Sequence, residues 1–507
     1  MKYDPLFALL RRRGVLWPAA EIYGGASGLF DYGPLGTALK RRLEDAWRAW
    51  FLGLSEDYHW IEPAEILPEA VVRASGHLEN FTDPEVTCGK CGHSFRADVV
   101  LEKVRPNGID GLSPTAIAAL LREAGSLCPH CGNDALSVPR PFNLMFGLDF
   151  GPTGRERAYL RPETAQSSFL AFARMWEVGR RALPLGVAVI GRAYRNEIAP
   201  RQALFRMRAF TQAELQIFFD PGAFEMPLAE VADLPLPILS AADRERGAEG
   251  PTSRTPRELV DGGSLPGFYA YHLAISYRFY RDVLGYPAAS LRLLEKSDAE
   301  RAFYNKIQFD IEAHLESLGG FKELGAVHYR GDYDLGRHAE GSQKDLSVAK
   351  QAGGRVLPHV LELTFGVDRN LWALADRHLV VEPAAGDETR TVWKLPPYLA
   401  PVAVGVFPLL KKEHAGKARE IARTLGQVGI AAEYDAVGSI GKRYARMDEA
   451  GVPYCITVDG ETLDPTHPNH GTVTVRDRDS KSQRRVAVPE LAGQLAPGLL
   501  FPRVGPG

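Results

Sequence analysis

Apolar and polar residues alternate along Phe205–Phe219, in the run FRMRAFTQAELQIFF. Phe205, Met207, Ala209, Thr211, Ala213, Leu215, Ile217 and Phe219 fall on one face; Arg206, Arg208, Phe210, Gln212, Glu214 and Gln216 fall on the other. A period of two predicts a strand, with same-face neighbours about 6.8 Å apart. Val187–Glu197 reads as the first arm of a hairpin, joined to that strand by a short polar turn at 198–204. In Val360–Leu374 an apolar strand breaks at Gly366 into a helix expected to start near Asp368. Helical periodicity is expected over 115–124, 269–284 and 299–318. A stretch rich in Pro, Gly and charge at 382–397 reads as a linker. Beyond it strands at 402–407, 430–434, 454–458 and 472–476 and helices at 413–425 and 440–450 predict a small α/β domain with a mixed sheet.

The charges on these elements point to a ligand. The polar face of 205–219 runs from two guanidiniums through an aromatic ring to a carboxylate, whereas an ordinary edge strand would simply be solvated there. Arginines suit a triphosphate, a ring suits a base, and a carboxylate suits an amine. Arg195 and Glu197 share a face across from Arg206 and Arg208, a cluster that repels itself unless an anion fills it. Arg369 lies in the first turn of its helix, where its charge opposes the dipole. An anion at the same end would remove that conflict.

Composition narrows the partners. A chain of 507 residues with 45% hydrophobic content has room for two to four domains. A net charge of −3 means that an RNA partner must be held by local patches such as Arg11–Arg13, Lys40–Arg42, Arg180–Arg181 and Arg484–Arg485. The first residues lack the order of a signal peptide and no apolar run reaches membrane-spanning length, so a cytoplasmic location without a membrane is expected. Of five cysteines, four form the knuckles Cys88–Cys91 and Cys128–Cys131, each with two intervening residues and a following glycine. That spacing suits a closed, tetrahedral structural zinc ribbon, and disulfides are disfavoured in a reducing cytosol. Cys455 reads as a buried core residue.

RNE (195–197), the following loop and FRMRAF resemble motif 2 of class II aminoacyl-tRNA synthetases. GVDRNLWAL is similar to motif 3, and LFDYGPLGTALKRRLEDAW (29–47) to motif 1. The chain more closely resembles the dimeric glycyl-tRNA synthetase family of eukaryotes, archaea and some bacteria. ASGHLENFTDPEV (74–86), FRAD (95–98), RPETAQ (161–166), FTQAE (210–214), DYDL (332–335) and GKRYARMDEAGVPYCITVD (441–459) carry that likeness. Where the family usually has Pro-Ser after the motif 3 glutamate, Glu362 is followed by Leu363 and Thr364.

The resemblance implies an α+β catalytic domain over 1–390, built on an antiparallel sheet of six or seven strands. It carries a zinc-bearing insertion at 84–140 and a mixed insertion at 221–320, and an α/β anticodon-binding domain follows at 395–507. It also implies ATP-dependent attachment of glycine to the 3′ end of tRNA(Gly) through a glycyl-adenylate, with Mg²⁺, in a homodimer. By the same resemblance Arg195 and Arg369 carry catalysis. ATP is expected on these and on Asn196, Glu197, Phe205, Arg206, Phe210, Glu323, Leu324 and Gly366, with Glu323 on magnesium. Glycine is expected on Arg96, Glu163, Phe210, Gln212, Glu214, Glu362, Thr364 and Gly366. Lys442, Arg443, Arg446, Arg476 and Arg478 are the candidates for RNA contact. The competing readings are another class IIa synthetase (threonine, proline, histidine or serine), a synthetase-like accessory protein, and a generic ATP-dependent ligase without RNA should the C-terminal domain not read RNA. A threonine enzyme would place zinc through separated Cys and His ligands, and accessory proteins lose the motif arginines retained here as Arg195, Arg206 and Arg369.

Overall fold

The computed structural model describes residues 2–101, 112–152, 154–350, 353–383 and 389–502. Its centre is a nine-stranded sheet. In chain order the strands are β1 (Tyr58–Trp60), β2 (Leu185–Tyr194), β3 (Ala209–Phe219), β4 (Leu236–Leu239), β5 (Thr252–Arg254), β6 (Leu291–Glu295), β7 (Ile307–Leu315), β8 (Gly320–Gly331) and β9 (His359–Gly366). They lie side by side as β5-β4-β6-β7-β8-β9-β3-β2-β1. Only β4 with β6 and β2 with β1 run parallel; the six strands β6, β7, β8, β9, β3 and β2 form an unbroken antiparallel run.

The expected hairpin is present, with Leu185 opposite Phe218 and Tyr194 opposite Ala209. Its second arm is shorter than the alternation suggests. Ala203–Phe205 form a 3₁₀ turn and Arg206 an isolated bridge with Arg201, so the ladder with β2 begins only at Ala209. Both faces of β3 are buried from Thr211 onward, which places its polar side chains inside the protein.

One expectation fails outright. The segment 299–318 holds strand β7, not a helix, because Ile307, Phe309, Ile311, Ala313 and Leu315 alternate with Gln308, Asp310, Glu312 and His314. Residues 221–320 therefore contribute strands β4–β7 to the main sheet and do not stand apart from it.

Helices cover the sheet. Pro34 opens α1 (Pro34–Phe51), whose Leu39, Leu43, Trp47 and Trp50 are buried at helical spacing. In α2 (Gly267–Arg278) every residue from Tyr269 to Tyr277 is buried, so it is a core helix, continued by a π-turn at Phe279–Val283. Gly366 caps α3 (Val367–His378), which follows β9 directly.

Residues 382–397 are not a plain linker. Leu379–Pro383 and Thr389–Trp393 pair as an antiparallel hairpin. Beyond it a separate core of residues 403–495 fills a five-stranded sheet. Val404–Pro408 there pairs in parallel with Ala432–Tyr434 and Tyr454–Val458; Thr472–Asp477 and Gln483–Ala487 complete the sheet antiparallel, the last of these strands unanticipated. No helix among the described residues is long and apolar enough to cross a membrane.

Candidate active site

The N-terminal end of β3, the start of α3 and the loop after β2 enclose a cavity of about 300 Å³. Of the expected residues, Arg96, Arg195, Glu197, Phe205, Arg206, Phe210, Gln212, Glu323, Leu324, Thr364, Gly366 and Arg369 line it. Asn196 does not; its backbone N–H donates to Leu144 O at 2.7 Å. Arg208 is also turned away, donating to the Glu197 carbonyl at 3.0 Å and to Ser27 O at 3.1 Å.

The arginines are more nearly balanced than the sequence implied. Arg369 pairs with Glu323 at 3.0 Å, Arg96 with Asp83 and with Asp98 at 2.9 Å, and Arg206 lies 3.8 Å from Glu197. Arg195 has no carboxylate partner among the described residues. Its guanidinium rests 5.1 Å from the Phe210 ring and 5.3 Å from the Phe81 ring, while Nε donates to Pro162 O at 3.1 Å. Burial, with Arg96 nearby, lowers the pKa of Arg206. At the wall, Glu197 Oε2, Arg206 Nη1, Thr211 Oγ1 and Gln212 Oε1 are buried without a hydrogen-bond partner among the described residues. Orphaned polar atoms facing one hollow are what a polar ligand would satisfy.

Glu163, Glu214 and Glu362 are brought together behind this wall and do not line the cavity. Three acids so close repel one another unless a positive charge offsets them. Most of that offset is built in, because Arg330 on β8 is 1% exposed in their midst. Arg330 donates to Asp334 at 2.7 and 2.9 Å and to Glu362 at 3.0 Å, lies 3.6 Å from Glu163, and stacks on Tyr304 at 3.8 Å. Burial would raise the pKa of Glu163, but His77 and Arg330 hold it well below the carboxylate range. Glu214 has the opposite fate. It accepts from Thr164 Oγ1 at 2.6 Å and Gln212 Nε2 at 2.8 Å, yet burial and the charges of Glu362 and Glu163 push its pKa well up. Thr364 Oγ1 donates to Glu362 Oε1 at 3.0 Å, so its hydroxyl orients an acid of the site.

Curated relatives settle the lineage. A glycine–tRNA ligase of Thermococcus gammatolerans is 37% identical across 97% of this chain and 98% of its own. One from Pyrococcus furiosus is also 37% identical over the same shares, and one from Methanothermobacter thermautotrophicus is 34% identical over 98% and 99%. The chain belongs to the glycine–tRNA ligase family. Residues 150–378 match the class II tRNA synthetase core domain (G, H, P, S and T), and residues 403–496 match the anticodon binding domain. The fold is similar to that of a prolyl-tRNA synthetase from Cryptosporidium parvum, solved with L-proline and AMP, at TM-score 0.55 and 14% identity over 98% of this chain and 75% of that one.

Within this member of the glycine–tRNA ligase family, three of the arginines expected on RNA are structural. Arg443 is buried and donates to Pro408 O at 2.6 Å and Gly438 O at 2.8 Å. Arg476 is buried against Asp448 at 3.1 Å. Arg478 is 2% exposed and donates to the carbonyls of Trp393, Gly451 and Leu395 at 2.7–2.9 Å. Arg446 pairs with Asp435 and is half-buried, and Lys442 stays exposed.

The four knuckle cysteines converge. Cys91 and Cys128 sulfurs lie 3.6 Å apart, those of Cys88 and Cys131 3.7 Å apart, and all four fall within 4.8 Å of one another. A tetrahedral zinc–thiolate centre needs about these spacings. Arg330, Asp334, Gln216 and Asp368 are the polar residues that sequence reasoning missed. DYDL was noted as a motif, but nothing local marks the strand arginine four residues before Asp334 as the partner of acids from three segments.

Proposed function

We propose that this chain attaches glycine to the 3′ end of its tRNA in two steps. The glycine carboxylate attacks the α-phosphorus of ATP and pyrophosphate leaves; the terminal ribose hydroxyl of tRNA then attacks the glycyl carbonyl and AMP leaves. The observation that carries the reading is the arginine-lined cavity with unsatisfied polar atoms, backed by a layer of acids. The nucleophile of the first step is already ionised and needs no general base, so rate comes from positioning and charge stabilisation.

Arg195, free of any carboxylate partner among the described residues, is suited to the α-phosphate and the glycine carboxylate. Arg206 and Arg369 serve the remaining phosphates or the adenine, Phe210 offers the ring face opposite Arg195, and Glu197 reads the adenine amino group. The ammonium is suited to Gln212 Oε1, left without a partner at the wall, with Glu214 behind it as the acid whose raised pKa a nearby cation would lower and with Glu163 and Glu362 held in place by Arg330. Glu323 is the acid that would hold magnesium, usually bound through one or two carboxylates plus phosphates; the ion would neutralise phosphate charge. The four cysteines are suited to a structural zinc. Lys442 and the outer face of the C-terminal domain are left for RNA, and α1 for a two-fold contact with a second copy. ATP–pyrophosphate exchange measured across twenty amino acids tests the reading. Exchange should depend on glycine alone, and exchange driven by another amino acid, or by none, overturns it.

A further inference from the structure

Arg195 has a second aromatic neighbour besides Phe210. Its guanidinium lies 5.3 Å from the ring of Phe81 and 5.1 Å from that of Phe210, and both residues line the cavity. Phe81 sits where the chain leaves for the cysteine knuckles. It follows the helical turn His77–Asn80 and precedes the strand Thr82–Thr87, which ends beside Cys88. The chain returns through Arg140–Asn143, paired with that strand from Thr82 opposite Asn143. Asn143 Nδ2 ties the two ends together by donating to His77 O at 3.3 Å and Leu78 O at 2.9 Å. Leu144 then joins them to the site. Its N–H donates to Phe81 O at 3.0 Å, and its carbonyl accepts the N–H of Asn196, next to Arg195, at 2.7 Å.

We propose that Phe81 is a positioning residue for adenylation, acting through Arg195 and not on the substrates. The proposal rests on the role given to Arg195 above. A long side chain without a carboxylate partner among the described residues needs other restraints to hold one geometry. Nε is tied to Pro162 O at 3.1 Å, which fixes one edge of the guanidinium. Ring faces restrain its plane, because a cation is drawn to the face of an aromatic ring. A neutral ring does so without occupying the N–H groups, which a carboxylate would take from an incoming anion. The main-chain bridge through Leu144 keeps the ring and the arginine in register. The root of the cysteine-bearing insertion therefore sets the aim of a side chain on the catalytic sheet, where a displacement of about 1 Å is enough to slow a reaction.

The test is a double-mutant cycle on glycine-dependent ATP–pyrophosphate exchange in the full chain, with Phe81→Leu, Arg195→Ala and the pair. Phe81→Leu keeps an apolar side chain but removes the ring. It should lower kcat about tenfold and leave the KM for glycine and for ATP within about threefold of normal. Phe81→Tyr, which keeps the ring face, should recover most of that loss. In the Arg195→Ala background Phe81→Leu should cost less than about twofold, because the group it positions is gone. An undiminished cost in that background, or a Phe81→Leu variant as active as the unaltered chain, overturns the proposal while sparing the role of Arg195. An Arg195→Ala variant with normal exchange, or an unaltered chain with no exchange on glycine, overturns both.

Discussion

A guanidinium at 1% exposure persists only where its charge is met, and Arg330 meets Asp334 and Glu362 directly with Glu163 close by. Arg330→Met should cost about 3–5 kcal/mol in denaturant unfolding, because it strands buried acids. Arg330→Lys should recover only part, since one ammonium cannot reproduce the bidentate contact with Asp334. Glu214 is different, because burial and neighbouring acids raise its pKa and an arriving ammonium would lower it. In the empty protein a raised carboxyl pKa means that stability is fullest below the ordinary carboxyl range and falls as pH rises through the folded value. Binding runs the other way, so the KM for glycine should fall with rising pH until Glu214 is ionised. Glu214→Gln should raise that KM, flatten its pH dependence and leave the KM for ATP nearly unchanged; equal effects on both substrates would mark Glu214 as merely structural. Arg195→Ala should lose roughly 10²–10³ in adenylation rate, the scale of one lost charge-stabilising donor, and near-normal exchange would reject its role.

At the scale of elements, the site is where one ladder stops. The pairing of β3 with β9 ends at Gln212 opposite Gly366, after which β9 turns into α3. Asp368, in the first turn of α3, takes over from the missing strand. One carboxylate oxygen accepts the Thr211 N–H and the other accepts the Tyr32 hydroxyl. Thr211 lies between Phe210 and Gln212, and Arg369 follows Asp368, so this contact sets the aim of three cavity residues. Asp368→Ala should cost about 1–3 kcal/mol for each stranded donor, lowering the thermal midpoint and raising the KM for ATP several-fold. A variant with both unchanged would remove Asp368 from this role. The three matched motifs were legible because their spacing fixes which side chains share a face. The strand within 299–318 was missed because the alternation begins only at Ile307, after residues with no such pattern. Arg330 and Asp368 were illegible for another reason: their partners come from segments far away in sequence, and local periodicity records no such pairing.

Across the whole molecule, Arg478, one of the arginines expected on RNA, fastens the C-terminal domain to the catalytic body. Sequence alone cannot separate a solvated guanidinium from one consumed by main-chain carbonyls, and Arg478 is of the second kind. It donates to Trp393 O and Leu395 O on the connecting segment and to Gly451 O in the domain itself, and it pairs with Asp479. Arg390 on the hairpin answers from the other side, donating to Arg478 O at 3.0 Å and lying 3.3 Å from Asp448. Gly451 has a positive φ, and a side chain there would come within 3.1 Å of Leu395 Cδ1, so the two surfaces meet closely. Such a joint holds the C-terminal domain at a set distance and angle from the cavity. Arg478→Met would leave three carbonyls without their donor, at about 1–3 kcal/mol each if they remain buried. The arginine-lined cavity lies in the other body and does not include these residues. Glycine-dependent ATP–pyrophosphate exchange should therefore stay within about twofold of normal, while charging of tRNA should drop about tenfold, corresponding to about 1.4 kcal/mol of lost positioning. Lys442→Ala, at an exposed site on the same domain, should weaken charging without moving the thermal midpoint, whereas Arg478→Met should lower both. Parallel loss of exchange and charging in Arg478→Met would mean that the joint supports the catalytic body itself and not the span between the two sites.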